Sequence, residues 1–119
     1  MWVVAEPALW SGKTLRQWLP AAVGEVVTAV APLRIVLFGS VARGDEGPDS
    51  DLDLLVVLDH VAPAERARLV SSIRRSISAP APIDIFVTDP AEYERRKDTI
   101  GSIFYWPARE GEVVYERAC

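Results

Sequence analysis

The chain has 119 residues, half of them apolar and a quarter charged, which is the composition of an ordinary globular domain with enough material for a core. A net charge of −4 does not favour a nucleic-acid backbone, no apolar run reaches membrane-spanning length, and the start, Met1-Trp-Val-Val-Ala-Glu-Pro7, lacks the basic opening of a signal peptide. The one cysteine, Cys119, has no partner for a disulfide or a metal site, which fits a cytoplasmic protein. These features lead to the expectation of a single domain over 1–119, with residues 1–10 as an N-terminal arm and no membrane association.

Taken in chain order, Ser11 to Leu19 reads as a short helix opened by Ser11, with Pro20 either starting a second helix or kinking one. Val23, Val26, Val27 and Val30 recur at helical spacing, and Pro32 ends that element. The segment Ser11-Gly-Lys-Thr14 resembles the end of a Walker A loop, but that motif requires glycine where Pro7 stands, so a helix start is the better reading. Residues 34–38 are a strand that runs into a turn at Gly39-Ser40, followed by a loop carrying Arg43. A second strand, Leu54 to Leu58, begins directly after Asp51-Leu-Asp53. His60 has no His or Cys neighbour and reads as a turn residue.

Pro63 suits the first turn of a helix whose stripe is Leu69, Val70, Ile73 and Ile77, ending near Ser78. Ile83 to Val87 is a third strand, Asp89-Pro-Ala-Glu92 a helix start, and Glu112 to Glu116 a last strand. Gly101-Ser102 reads as a turn or helix start, Tyr105-Trp106-Pro107 as part of an exposed apolar patch, and the tryptophans as core or interface groups. Basic clusters at Arg66, Arg68, Arg74-Arg75 and Arg95-Arg96-Lys97 read mainly as solvated helix faces, with docking of an acidic partner left open. The order of elements indicates an α+β (or α/β) domain with a mixed β-sheet flanked by helices.

Three acids carry the chemistry. Residues i and i+2 of a strand face the same way, so Asp51 and Asp53 can present two carboxylates to one spot. Such a pair repels itself unless a cation lies between, and hard divalent ions take oxygen ligands. Asp84 stands inside an apolar strand, and if that strand lies beside the second one, it completes a triad able to hold two ions about 3.5–4 Å apart. The turn at Gly39-Ser40 lets backbone N–H groups approach an anion.

The stretch Gly39-Ser-x-Ala-Arg-Gly44, followed by Ser50-Asp-x-Asp53, resembles the signature of the minimal nucleotidyltransferases of the DNA polymerase β-like superfamily. The ten-residue gap between Gly39-Ser40 and Asp51 is similar to the pattern of the antitoxin branch that pairs with HEPN-domain toxins. The likeness continues through Thr88-Asp-Pro-Ala-Glu-Tyr-Glu-Arg95 and the closing Glu110-Gly-Glu-Val-Val-Tyr-Glu116. What it implies is catalysis and metal ligation by Asp51, Asp53 and Asp84, and nucleotide binding by Gly39, Ser40, Arg43 and Ser50. It further implies Mg²⁺ as cofactor, two ions in number, and ATP as nucleotide. A HEPN-type toxin is the implied partner, supplying the hydroxyl that larger relatives grip with extra domains. A non-catalytic antitoxin that occludes its partner, transfer to a small molecule, and a homodimer all remain open at this stage.

Overall fold

The computed structural model describes residues 8–118, so the expected arm falls mainly outside the described residues, as does Cys119. A mixed four-stranded sheet, ordered β3-β2-β1-β4, is flanked by helices, in agreement with the fold class read from the sequence. Its strands are β1 (Arg34–Phe38), β2 (Leu52–Val57), β3 (Ile83–Thr88) and β4 (Glu112–Glu116). β1 pairs antiparallel with β2 and with β4, whereas β2 and β3 run parallel. The parallel pair is joined by the crossover that parallel strands require. This crossover is a 3₁₀ turn, Pro63–Glu65, and the helix α3, Arg66–Ser76.

α1 is a single helix, Leu15–Val30. It does not open at Ser11, which lies in a tight turn at φ 48, before Gly12 at φ 80. Thr14 is the cap instead: its hydroxyl accepts from the Gln17 N–H at 3.2 Å, and the Gln17 side chain accepts from the Thr14 N–H at 2.8 Å. Pro20 lies inside the single helix α1, where it supplies no N–H to the preceding turn. Ala31 closes the helix at φ 45, with Pro32 following.

Both sheet faces carry an apolar cluster. Leu54, Val56, Ile35, Leu37, Ile85 and Val87 pack under α1 and α3, with Leu15, Leu19, Val26 and Ile73. Val36, Leu55 and Val57 pack against Phe104 on the other face, flanked by Phe38, Phe86 and Tyr93. Phe104 precedes α5 (Tyr105–Glu110), a helix the sequence reading missed; Pro107 is buried within it, while Trp106 is 59% exposed. Leu52 is also buried, so β2 begins two residues before the expected start and takes Asp53 into the strand.

Asp89 caps α4 (Pro90–Arg96) as its sequence suggests. One carboxylate oxygen accepts from the Glu92 N–H at 2.9 Å and the other from the Val61 N–H at 2.9 Å, so one side chain serves two segments. These N–H donors hold its carboxyl below the ordinary range. A group depressed in this way contributes stability above its unfolded pKa, and that contribution is lost as pH falls through the folded value. Asp89→Ala is therefore expected to cost roughly 2 kcal/mol at neutral pH, with the deficit shrinking in acid. Urea melts at pH 7 and pH 3 check this; an equal deficit at both would contradict it.

Candidate active site

The site forms where β1 ends and β2 begins. Phe38 is paired with Asp53 across the antiparallel ladder, and Asp53 is paired with Asp84 across the parallel one. Pairing in register puts the Asp53 and Asp84 side chains on one face, the face of Phe38 and Phe86, whose rings lie 5.4 Å apart. Asp51 comes from the residue ahead of Leu52 and joins them. Each of the three offers a carboxylate oxygen, and these oxygens lie within 4.8 Å of one another. The neighbouring β2 and β3 anticipated for the triad are present, and the triad is assembled.

Gly39 makes that convergence possible. It begins α2 (Gly39–Arg43), a single helical turn where the sequence reading placed a loop, and it adopts φ +77. A Cβ at this position would overlap Oδ2 of Asp53, so the missing side chain is the space into which the carboxylate fits. Ser40 Oγ lies 2.9 Å from Ser50 Oγ, and Ser50 Oγ accepts from the Gly47 N–H at 2.9 Å. The two serines thereby tie α2 to the loop that delivers Asp51. The N–H groups that open a helix have no partner within it, so those at the start of α2 are available to an anion.

Arg43 lies at the other end of α2, with Nε 3.3 Å from Asp45 and a guanidinium nitrogen 3.8 Å from Glu110. Its positive charge reaches Asp53 and partly offsets the negative charges there. The offset is incomplete. Burial first, then the charges of Asp51 and Asp84, push the Asp53 carboxyl up to about 7. Asp51 is raised as well, by burial and by the Asp84 carboxylate beside it. Without an ion, the cluster holds protons that solvated acids would have lost.

The donor set is all oxygen and carries excess negative charge, which suits a hard divalent cation such as Mg²⁺. Because Asp53 carries a proton below about 7, a cation must displace it there. Apparent Mg²⁺ affinity is expected to weaken by up to about tenfold per pH unit on descending from pH 7 to pH 5. Titrations of the protein with Mg²⁺ at pH 5, 6, 7 and 8 read this directly, and a flat profile would count against it.

One contact at the site, and one brace at the far end of β3, escaped the sequence reading. Arg74, placed among solvated helix faces, reaches from α3 to 3.8 Å from Asp84. Arg66, grouped with it, donates to Glu92 at 2.8 Å and braces α4 instead of simply facing solvent. Charge clustering along one helix carries no signal for either contact, because each depends on which strand lies beneath. His60 is 83% exposed just after the bend at Asp59, with Nδ1 3.8 Å from the Asp89 carboxylate. Among the described residues, no helix is long and apolar enough to cross a membrane.

The nucleotidyltransferase domain model matches residues 21–112. A crystal structure of a candidate nucleotidyltransferase from Sulfolobus solfataricus superposes with a TM-score of 0.62 at 23% identity, over 87% of this chain and 81% of that one. A search of curated proteins gives no match. The matched segment runs from within α1 to the first residue of β4, and thus contains the whole acid cluster and the glycine turn.

Proposed function

The chain belongs to the nucleotidyltransferase domain family, and we propose that it moves AMP from ATP, with Mg²⁺, onto a hydroxyl of a partner protein. The partner in this reading is a HEPN-type toxin, and the chain is its antitoxin. The observation that carries the transfer chemistry is the convergence of Asp51, Asp53 and Asp84 beside the glycine turn. The family resemblance of the Gly39-to-Asp53 stretch supports the partner and the nucleotide.

Each residue has a task in this reaction. N–H groups at Gly39 and Ser40, with the Arg43 guanidinium, bind and orient the triphosphate. Ser50 keeps the acid loop docked through its contact with Ser40. Asp51 and Asp53 would hold the divalent cation, with Asp84 as third ligand. A cation bound there supplies positive charge that offsets the charge developing on the phosphoryl oxygens. Asp84, whose side chain is 49% exposed, sits on the solvent side of the cluster and takes the proton of the incoming hydroxyl. The acceptor oxygen forms a bond to the α-phosphorus. The bond from that phosphorus to the bridging oxygen breaks, and pyrophosphate departs with the electron pair.

ATP labelled at the α-phosphate is expected to label the partner, whereas ATP labelled at the γ-phosphate is expected to release its label as pyrophosphate. Label that stays with the nucleotide in both arms, with the partner present, would overturn the reading. Exposure of Ile100, Ile103 and Trp106 favours a second one, in which the chain neutralises its partner by covering it. Neutralisation that survives Asp51→Asn/Asp53→Asn would select that alternative.

A further inference from the structure

We propose that the recess beside Asp84 receives the acceptor, a hydroxyl-bearing polypeptide segment with an acid close to the hydroxyl, and that Arg74 selects it by binding that acid. This rests on the transferase reading and adds to it the side of entry and the chemical class of the acceptor.

Strand order fixes the side from which the acceptor enters. The glycine turn follows β1, Asp53 lies on β2 and Asp84 on β3, and these strands are neighbours in that order. With neighbouring strands about 4.7–4.9 Å apart, the turn and Asp84 flank Asp53 on opposite sides. Attacking and leaving oxygens lie roughly in line through the phosphorus that is transferred. A turn that holds the departing pyrophosphate therefore leaves the Asp84 side to the entering oxygen.

A recess of 320 Å³ lies on that side, formed by the end of α3, the loop after it and the start of β3. Ile77, Ala79, Ala81 and Ile83 are its apolar walls, and Arg74 and Asp84 its charged ones. The four apolar residues are half-buried, so each keeps surface that a ligand can cover. Pro80 and Pro82 fix φ at two positions of the loop, which limits how far its walls can move. The volume is at the small end for a ligand site and suits one or two side chains better than a second nucleotide.

Arg74 lacks a firm partner, unlike its neighbours on α3. Arg66 and Arg68 lie 2.8 and 3.5 Å from Glu92 and Glu65. Arg74 stands 3.8 Å from Asp84, too far for a hydrogen bond, with 59% of its side chain exposed. It meets no other carboxylate among the described residues. Its donors are therefore open to a ligand anion, and a guanidinium takes a carboxylate through two parallel bonds. Because Arg74 reaches Asp84, an acid bound to it lies within a residue or two of a hydroxyl that touches Asp84. The acceptor thus carries a hydroxyl, an apolar side chain and an acid close together. Its oxygen bonds to the α-phosphorus and its proton passes to Asp84. The bond from that phosphorus to the bridging oxygen breaks, and pyrophosphate leaves with the electron pair.

The test uses the full chain, Mg²⁺, α-labelled ATP and blocked peptides with a central serine, or a central tyrosine, between two leucines. Within each set the peptides differ only two residues after the hydroxyl, where one has glutamate, one glutamine and one lysine. The expected kcat/KM falls in that order, with roughly tenfold or more between the glutamate and lysine peptides. Arg74→Lys keeps the order, whereas Arg74→Glu reverses it, a swap that a merely structural role of Arg74 does not produce. In the complex with Mg²⁺ and a non-hydrolysable ATP analogue, calorimetry is expected to show the glutamate peptide bound about fivefold tighter than the lysine peptide. Ala79→Phe, which fills the recess, is expected to lower kcat/KM for the glutamate peptide about tenfold, with affinity for ATP unchanged. Equal labelling of the peptides, or a glutamate preference that persists in Arg74→Glu, would overturn the proposal with the transferase reading intact. So would labelling of small alcohols but of no peptide. Failure of ATP to bind with Mg²⁺, together with no labelled acceptor of any kind, would sink both.

Discussion

Asp53→Asn is expected to stabilise the ion-free protein while abolishing its chemistry. The carboxyl is held up to about 7 by burial and by its two acidic neighbours, so at pH 8 the ionised group works against the fold. The sign follows from proton counting: between the unfolded value near 4 and the folded value near 7, the native state binds the extra proton. Stability of the ion-free chain therefore falls as pH rises through that window. Asparagine keeps the shape and removes the charge. A melting temperature higher by roughly 4 °C or more at pH 8 is expected, with little gain at pH 4. Transfer should drop on the order of 1000-fold, since a group that offsets transition-state charge is gone. Mg²⁺ should no longer raise the melting temperature appreciably. A variant that loses stability and activity together would indicate a structural residue instead.

Gly39→Ala is expected to disable the site by a different route, and Gly44→Ala provides its control. Both glycines have positive φ, +77 and +78, so alanine at either position bears the dihedral penalty, about 1–2 kcal/mol. Only at Gly39 does the added Cβ overlap Asp53 Oδ2; at Gly44 it meets nothing within 4 Å. Both variants should lose comparable stability from the backbone alone. Gly39→Ala should additionally displace the Asp53 carboxylate, weaken Mg²⁺ binding at least tenfold and bring transfer close to background. Gly44→Ala should keep both within a factor of about three. Calorimetric Mg²⁺ titration of the two variants side by side checks this, and equal loss in both would remove the special role of Gly39.

Much of the site was legible because its residues sit at sharp transitions in pattern. A strand that runs into Gly39-Ser40, and a pair of acids that opens a second apolar run, are local signals. The involvement of Asp84 was legible only conditionally. Its strand could be read from Ile83, Ile85, Phe86 and Val87, but the parallel pairing that sets it opposite Asp53 is a property of topology. The start of α1 was misread although Thr14 and Gln17 form a capping box at the standard spacing; Ser11 drew attention first, and its positive φ excludes it from the cap. α5 was missed because Tyr105-Trp106-Pro107 looks like a broken apolar patch, and burial of Phe104 and Pro107 under the sheet is what holds that turn. The contact between Arg74 and Asp84 left no trace in sequence, for a basic residue near a helix end looks the same whether it meets water or a carboxylate.

The most direct measurement is anomalous diffraction from crystals grown with Mn²⁺ and a non-hydrolysable ATP analogue. A Mn²⁺ peak within about 2.0–2.3 Å of oxygens of Asp51 and Asp53, with the triphosphate against Gly39 and Ser40, is the predicted result. Nucleotide bound elsewhere, or no peak at the three carboxylates with nucleotide present, would contradict it.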